Sequence, residues 1–452
     1  MRMPLRILVA LALVAALATP VAANGRSPAS IKVVFRPGST SEILVGTTFG
    51  MLKTTDDGAT WRWLCDSVVG IMGTYDPDYE MTSTGLMLAT SYDGVYTSRD
   101  GCTWTKPDGP LGTGTTSSIA VASNGWIYVA LSDPVAGYKI FKSTDDGASF
   151  QEVPGTLPAS DWWNSIEVAP SDPDRIYLTG FRFNGQDPRS RILIRSTDGG
   201  QSWEELPTTA FVGTNNSDLM IAAIHPTDPD TVFVRMTLTG TTLQEKIYRT
   251  TTGGAALPAG PTWTEVLQAG DYLAQVAIRD NGDVYVPSMM LQKLHKSVDG
   301  GATFAEVPGV TYQSACVAER REDDRLFLCA NNQIGSEPLT YLASSTTGAA
   351  GSWTSRLRFV DVVGPLRCAA GTIQHDDCEA NLWCGQREQL GATSTEIDCA
   401  PPVEGDDTAP QPPPKSCCGI GGAPGLESAS ALVVLVFRPW RRRRRRDRAA
   451  RA

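Results

Sequence analysis

Histidine is nearly missing from this chain. Its 452 residues include three, His225, His295 and His375. His225 precedes Pro226 in a turn signal, and His295 stands on a strand-like stretch just before a repeated turn. No spacing among the three matches a metal-ligand set or a Ser-His-Asp arrangement, so no metal site and no cofactor is expected. His375 with Cys378 and Cys384 could be taken for a zinc cluster, but an exported chain favours disulfides there. Charge is also scarce, at 19% of residues. The apolar runs Ile7 to Leu17 and Ala431 to Phe437 both fall short of the ~20 residues a membrane-crossing helix needs. Basic residues gather at the C-terminal end. Removing Arg2, Arg6, the nine arginines beyond Cys418, Glu427 and Asp447 takes the formal charge from −10 to about −19, which argues against nucleic acid as a partner.

Turn formers are plentiful, with 43 Gly and 30 Pro, and β-branched residues cluster in short runs between them. One stretch organises the rest. Ser143 to Phe150 reads STDDGASF, and close copies run from Thr54 to Trp61, Ser196 to Trp203 and Ser297 to Phe304. A looser copy spans Thr97 to Trp104, and two stretched ones span Thr250 to Trp263 and Ser345 to Trp353. Their central glycines are Gly58, Gly101, Gly147, Gly200, Gly254, Gly301 and Gly348, at steps of 43, 46, 53, 54, 47 and 47 residues. Such a period marks a radial or stacked array with one supersecondary unit per repeat. Asp56, Asp145, Asp198 and Asp299 can accept backbone hydrogen bonds, while Gly58, Gly147, Gly200 and Gly301 supply positive φ. Trp61, Phe150, Trp203 and Phe304 open the next strand and bury a large ring between units.

The pattern S-x-D-x-G-x-T-W resembles the Asp box, or BNR repeat, of sialidase-like β-propellers. The resemblance implies structural boxes lying away from the active face. It predicts an all-β fold: a single seven-bladed propeller of four-stranded blades over residues 24–365, with a small Cys-rich C-terminal cap over 366–400. In the first unit the strands are expected at Ile31 to Phe35, Ile43 to Thr47, Met51 to Thr54 and from Trp61. Phe35-Arg36-Pro37 is similar to the F-R-I-P segment of sialidases, whose arginine binds a substrate carboxylate. Pro37, however, aligns with Pro170 and Pro226, which places Arg36 in a hairpin rather than the central funnel. Glu167, Glu319 and Glu322 are read as solvated or paired carboxylates. The xyloglucanase type uses facing carboxylates from two propellers, and the repeats here account for one.

Residues 1–23 read as an export signal: Arg2 and Arg6, the apolar run, then Val21-Ala22-Ala23. Ten cysteines suit an oxidising compartment. Cys316 and Cys329 are expected to bridge a hairpin, and Cys65 and Cys102 to join the first two units. Cys368, Cys378, Cys384 and Cys399 form a set with three possible internal connectivities. Residues 401–416 read as a Pro-rich spacer. Residues 417–452 resemble the myxobacterial sorting tail called MYXO-CTERM: Cys417 and Cys418, a short apolar run, then Arg441 to Arg446. That resemblance implies cleavage by a sorting protease and anchoring at the cell surface or outer membrane.

The sequence thus predicts an exported binding module for a glycan or protein, with a secreted glycoside hydrolase as the alternative and an assembly factor as a third possibility. The candidate ligand residues are Trp162 and Trp163, in the loop leading into the first strand of the fourth unit, and Arg182, in the loop joining its second and third strands, with Tyr75 and Tyr79 on the same kind of loop in the second unit. Adjacent aromatics beside a guanidinium suit a sugar ring or a peptide side chain. No catalytic residue is assigned.

Overall fold

The computed structural model describes residues 27–71, 75–155, 157–158, 161–183, 190–211, 218–238, 244–255, 262–310, 312–330 and 339–399. The export signal, the spacer, and the tail with Cys417 and Cys418 lie outside the described residues, as does Asn184 to Arg189.

Each of the seven repeats folds into one antiparallel sheet whose strands follow chain order, giving a seven-bladed propeller. Blade 1 runs Ser30–Phe35, Ile43–Thr47, Gly50–Thr54 and Arg62–Leu64, within a residue or so of the sequence reading. Blade 2 has three strands, and a single bridge from Thr97 to Thr105 stands for its fourth. The first strand of every blade lines a central channel. Second strands such as Ile43–Thr47 and Val284–Ser288 are buried throughout because a neighbouring blade covers each face.

The repeated turn closes the third strand onto the fourth with one hydrogen-bond set. Asp145 Oδ1 accepts from the Ser143 hydroxyl at 2.8 Å and the Ser149 N–H at 2.9 Å, and Oδ2 accepts from the Ser149 hydroxyl at 2.6 Å. Asp56, Asp198 and Asp299 repeat the pattern, accepting from Thr60, Ser202 and Thr303 N–H at 2.8, 2.9 and 2.9 Å. Gly147 and Gly200, at φ +79° and +89°, donate back to Ser143 and Ser196 Oγ at 2.9 and 2.8 Å. Arg36 sits in the first hairpin of blade 1, paired with Glu42 and donating to the Ser83 carbonyl at 2.9 Å, as its alignment with Pro170 implied.

The first and last blades of the propeller meet at the seam between blades 7 and 1. The Trp61 indole donates to the Arg356 carbonyl at 2.9 Å, and the buried Arg320 bonds Asp57 at 2.6 Å. The Gly38 N–H donates to Glu322 at 2.6 Å. Past blade 7, Gly364–Pro365 adds in parallel to the outer edge of blade 1. The cap follows, with a widened helical stretch Gln374–Leu382 that continues as the α-helix Trp383–Leu390.

The disulfides correct one expectation. Cys316 joins Cys329 across its hairpin as read, but Cys65 and Cys102 do not pair with each other. Cys65 bonds Cys378 and Cys102 bonds Cys368, so only Cys384–Cys399 is internal to the cap. Strand Arg62–Leu64 carries Cys65 to the outer rim, where the cap passes over it, and Cys102 stands on the next blade's turn beside Cys368. The cap is therefore a strap across two blades.

Candidate ligand-binding face and channel

Strand order gives the propeller two unlike faces. One carries the first-to-second hairpins and the repeated turns, and arginine–aspartate pairs cross blade boundaries there. Arg99 meets Asp146 at 2.7 Å, Arg175 meets Asp230, and Arg279 meets Asp324. The other face carries the second-to-third hairpins and the entries to the first strands. Among the described residues, the exposed large apolar side chains Tyr92, Val135, Phe183, Tyr272, Met290 and Leu291 all belong to this second face. In the propeller proper, Val298, within a repeated turn, is the exception.

Several of these groups are held in place by named contacts. Tyr92 packs on Tyr75 with ring centroids 4.4 Å apart, and the Tyr75 hydroxyl donates to the Thr116 carbonyl at 2.9 Å. Burial raises Tyr75 to about 12, so its hydroxyl remains a donor at neutral pH. The buried Asp271 carboxylate accepts from the Met290 and Leu291 N–H groups at 3.0 and 2.7 Å, which fixes that apolar turn outward.

On blade 4 the predicted residues fall into two groups. Asp161 to Asn164 is not a loop but the start of the first strand, Asp161–Val168, paired with Ile176–Arg182. Trp162 faces its cross-strand partner Phe181 in a stack at 6.0 Å and leans on Tyr138 at 5.8 Å. Arg182 forms a two-pronged pair with Asp161 at 2.6 and 2.7 Å and reaches Glu205 at 2.9 Å. Hydrogen bonds to these two carboxylates hold its pKa above the usual arginine range. Trp163 and Tyr79 are wholly buried: Trp163 packs between blades 3 and 4, and Tyr79 lies against Gly46. The structure brings Trp162 and Arg182 to the rim of one blade and Tyr75 to another.

Sequence reasoning assigned no ligand residue to the channel and read Glu167 and Glu319, which line it, as solvated or paired carboxylates. A cavity of about 390 Å³ opens among the beginnings of the first strands, and a second of about 270 Å³ lies below it. Lys32, Glu167, Ala222 and Gln275 line both. Lys32 pairs with Asp78 and, at 3.1 Å, with Glu80. Burial works against its charge, but those two carboxylates outweigh it and hold the ammonium protonated. Asp78 also accepts from the Ile119 N–H at 2.9 Å and the Ser118 hydroxyl at 3.1 Å. The Glu167 side chain is open to the channel yet is ringed by the inner strands. That enclosure, then the charge of Glu80, pushes its carboxyl up to about 8. Glu319, in the lower cavity, is raised to about 7 by burial.

The upper chamber has a recurring origin. In five blades the first strand carries a bulge, at Ile31, Ser117, Asn164, Ala222 and Ala315, and each of these residues lines the chamber. A bulge turns a side chain out of the alternating register, here into the channel. Among the described residues no group of three or more His, Cys, Asp or Glu could hold one metal ion. Carboxylates gather at the hub, whereas arginine contributes Arg235 above and Arg321 below.

The chain is similar to xyloglucanases. A xyloglucanase from Paenibacillus sp is 26% identical over 210 residues, 38% of this chain and 20% of the relative. A probable oligoxyloglucan-reducing end-specific xyloglucanase from Neosartorya fischeri is 22% identical over 296 residues, 59% of this chain and 33% of that one. The chain thus spans a third or less of these curated relatives. An ancestral GH74 enzyme of known structure superposes with a TM-score of 0.53 at 14% identity, over 74% of this chain and 47% of the other, a likeness of fold. No protein-family model matches the sequence.

Proposed function

We propose that this protein is an exported, surface-displayed propeller that binds a neutral polysaccharide on its apolar face without cleaving it. The observation that carries this reading is that, among the described residues of the propeller, every exposed large apolar side chain but Val298 lies on the face around the channel mouth. Flat rings such as Tyr92 and Phe183 offer stacking surfaces for pyranose rings, whose axial C–H groups present an apolar side. The similarity to xyloglucanases supports a β-linked glucan as the polymer. Display at the surface rests on the export signal and the sorting-tail resemblance, and mass spectrometry of mature surface material tests it: an intact poly-arginine terminus would refute cleavage.

Hydrolysis is the second reading, favoured by one feature. Glu167, its carboxyl raised by burial, shares a cavity with Asp78, and a pair of carboxyl groups at one cavity is what glycoside hydrolysis uses. Binding of xyloglucan and cellulose measured by isothermal titration, with a reducing-sugar assay on the same mixtures, separates the two. Saturable binding with no new reducing ends supports the binding module. Steady release of reducing ends that Glu167→Gln abolishes would replace it with a hydrolase.

A further inference from the structure

The geometry points to the upper chamber as a receptor for the terminal sugar of a neutral glycan chain, read by Glu167, Asn164 and Gln275. The inference rests on the glycan reading of the apolar face and adds where the polymer's end goes.

The chamber is built for a ligand of this chemistry in four respects. Bulges in five separate blades set much of its wall, and Asp76 to Asp78, Ala274 and Gln275, which lead into the first strands of blades 2 and 6, complete it. Three polar side chains line it without a hydrogen-bond partner among the described residues: the Glu167 carboxyl and the amides of Asn164 and Gln275. Between them they offer donors and acceptors at several angles, which hydroxyl groups can satisfy. On the blade 5 to 7 side the wall is small and apolar, with Ala222, Ala274 and Ala315, leaving room for the face of a ring. A volume of about 390 Å³ takes one or two sugar residues and not the side of a long chain.

Charge narrows the sugar. Asp76, Asp78 and Glu167 line the chamber against Lys32 and Arg235. Lys32 is already engaged by Asp78 and Glu80, and Arg235 donates to the Leu273 carbonyl at 2.8 Å. Among the described residues neither basic side chain lining the chamber is left to receive a uronic or sialic carboxylate, and the Lys32 ammonium already takes the place beside Asp78 and Glu80 that an amino sugar would seek. A neutral hydroxylated end fits both facts.

The test compares ends with length. The full mature chain is titrated with cellohexaose and with a long soluble β-glucan at equal mass, for the wild type and for Glu167→Ala, Asn164→Ala and Ala222→Phe. Affinity per unit mass should follow the number of chain ends. Glu167→Ala or Asn164→Ala should weaken cellohexaose binding about tenfold, the scale of one lost buried hydrogen bond. Ala222→Phe, which narrows both chambers from a position facing the channel, should abolish it with an unchanged circular dichroism spectrum and melting temperature. If glucan binds but is indifferent to chain ends and to all three changes, the channel assignment falls while the apolar-face reading survives. If glucosamine oligomers bind better than cellohexaose, the neutral-sugar assignment falls. If no glucan binds at all, both readings fall.

Discussion

Cys65, at the outer rim of blade 1, is bonded to Cys378 in the cap across 313 residues of chain. Among the described residues each blade is built from consecutive strands, and none has an inner strand supplied from the other end of the propeller. Closure instead falls to the strap: Gly364–Pro365 on the edge of blade 1, Cys65–Cys378, and Cys102–Cys368 on blade 2. Trp63 and Trp383 pack at 5.8 Å beneath it, and the Gln374 amide donates to the Trp63 carbonyl at 2.9 Å. Removing Cys65–Cys378 by Cys65→Ser with Cys378→Ser should cost about 2–5 kcal/mol, the range for a native disulfide closing a long loop. Denaturant unfolding measures the loss, and non-reducing peptide mapping checks the pairs. A Cys65–Cys102 peptide would contradict the strap.

Glu167 makes stability depend on pH in a stated direction. Its carboxyl sits at about 8 in the folded protein against an ordinary 4.5. The folded state therefore holds this proton more tightly than the unfolded chain, and stability falls as pH rises from about 4.5 through 8. The Glu167 side chain is open to the channel, so solvent screening should hold the part of this decline due to Glu167 to about 1–2 kcal/mol, well under the full shift. Glu167→Gln keeps the shape and removes the titration. Its melting temperature should exceed that of the wild type at pH 9 and match it near pH 5. Parallel melting curves for both proteins across that range would show that Glu167 is not the group involved.

The turn repeat was legible because it needs particular side chains at fixed offsets: a hydroxyl, an aspartate two residues on and a glycine after that, as at Ser143, Asp145 and Gly147. Seven copies at a near-constant step then specify a closed ring. The channel was not legible, for a physical reason. Side-chain direction in a strand is inferred from alternation, and a bulge such as that at Asn164 reverses it midway. Trp162 and Trp163 look alike in sequence, yet one stacks on Phe181 at the rim and the other is wholly buried. Cysteine pairing was hidden because the partners of Cys65 and Cys102 lie in a segment that joins them only once the ring has closed.

The repeated turn itself gives a stability prediction. Gly200 has φ +89°, and a Cβ there would stand 2.5 Å from Val153 Cγ1 of the preceding blade. Gly200→Ala therefore meets both left-handed backbone strain, about 1–2 kcal/mol, and a clash across the blade boundary. It should lower the melting temperature by more than Gly125→Ala, where positive φ is shared but the added Cβ meets nothing within 4 Å. Equal losses would mean that the blade contact contributes nothing. Acid should act on the same turns. Asp145 is held down to about 2 by the Ser149 hydroxyl and N–H, so its contribution is present above the ordinary 3.8 and lost as pH falls toward 2.

The two neighbouring tryptophans of blade 4 separate folding from binding. Trp163 is fully buried, its N–H and C=O both bonded to the Ser132 hydroxyl at 3.0 Å, so it ties blade 4 to blade 3. Trp163→Ala should cost about 3–5 kcal/mol, the range for deleting a buried large aromatic. Tyr92, half-exposed at 52%, and Phe183, at 56%, lie on the apolar face with little to lose from the core. Tyr92→Ala with Phe183→Ala should leave the melting temperature nearly unchanged while weakening glucan binding. Trp162→Ala should fall between, because its stack on Phe181 serves both the strand pair and the rim. Calorimetric melting and glucan titration on the same four proteins give the comparison. Full glucan affinity in the Tyr92→Ala, Phe183→Ala protein would move the binding surface off this face.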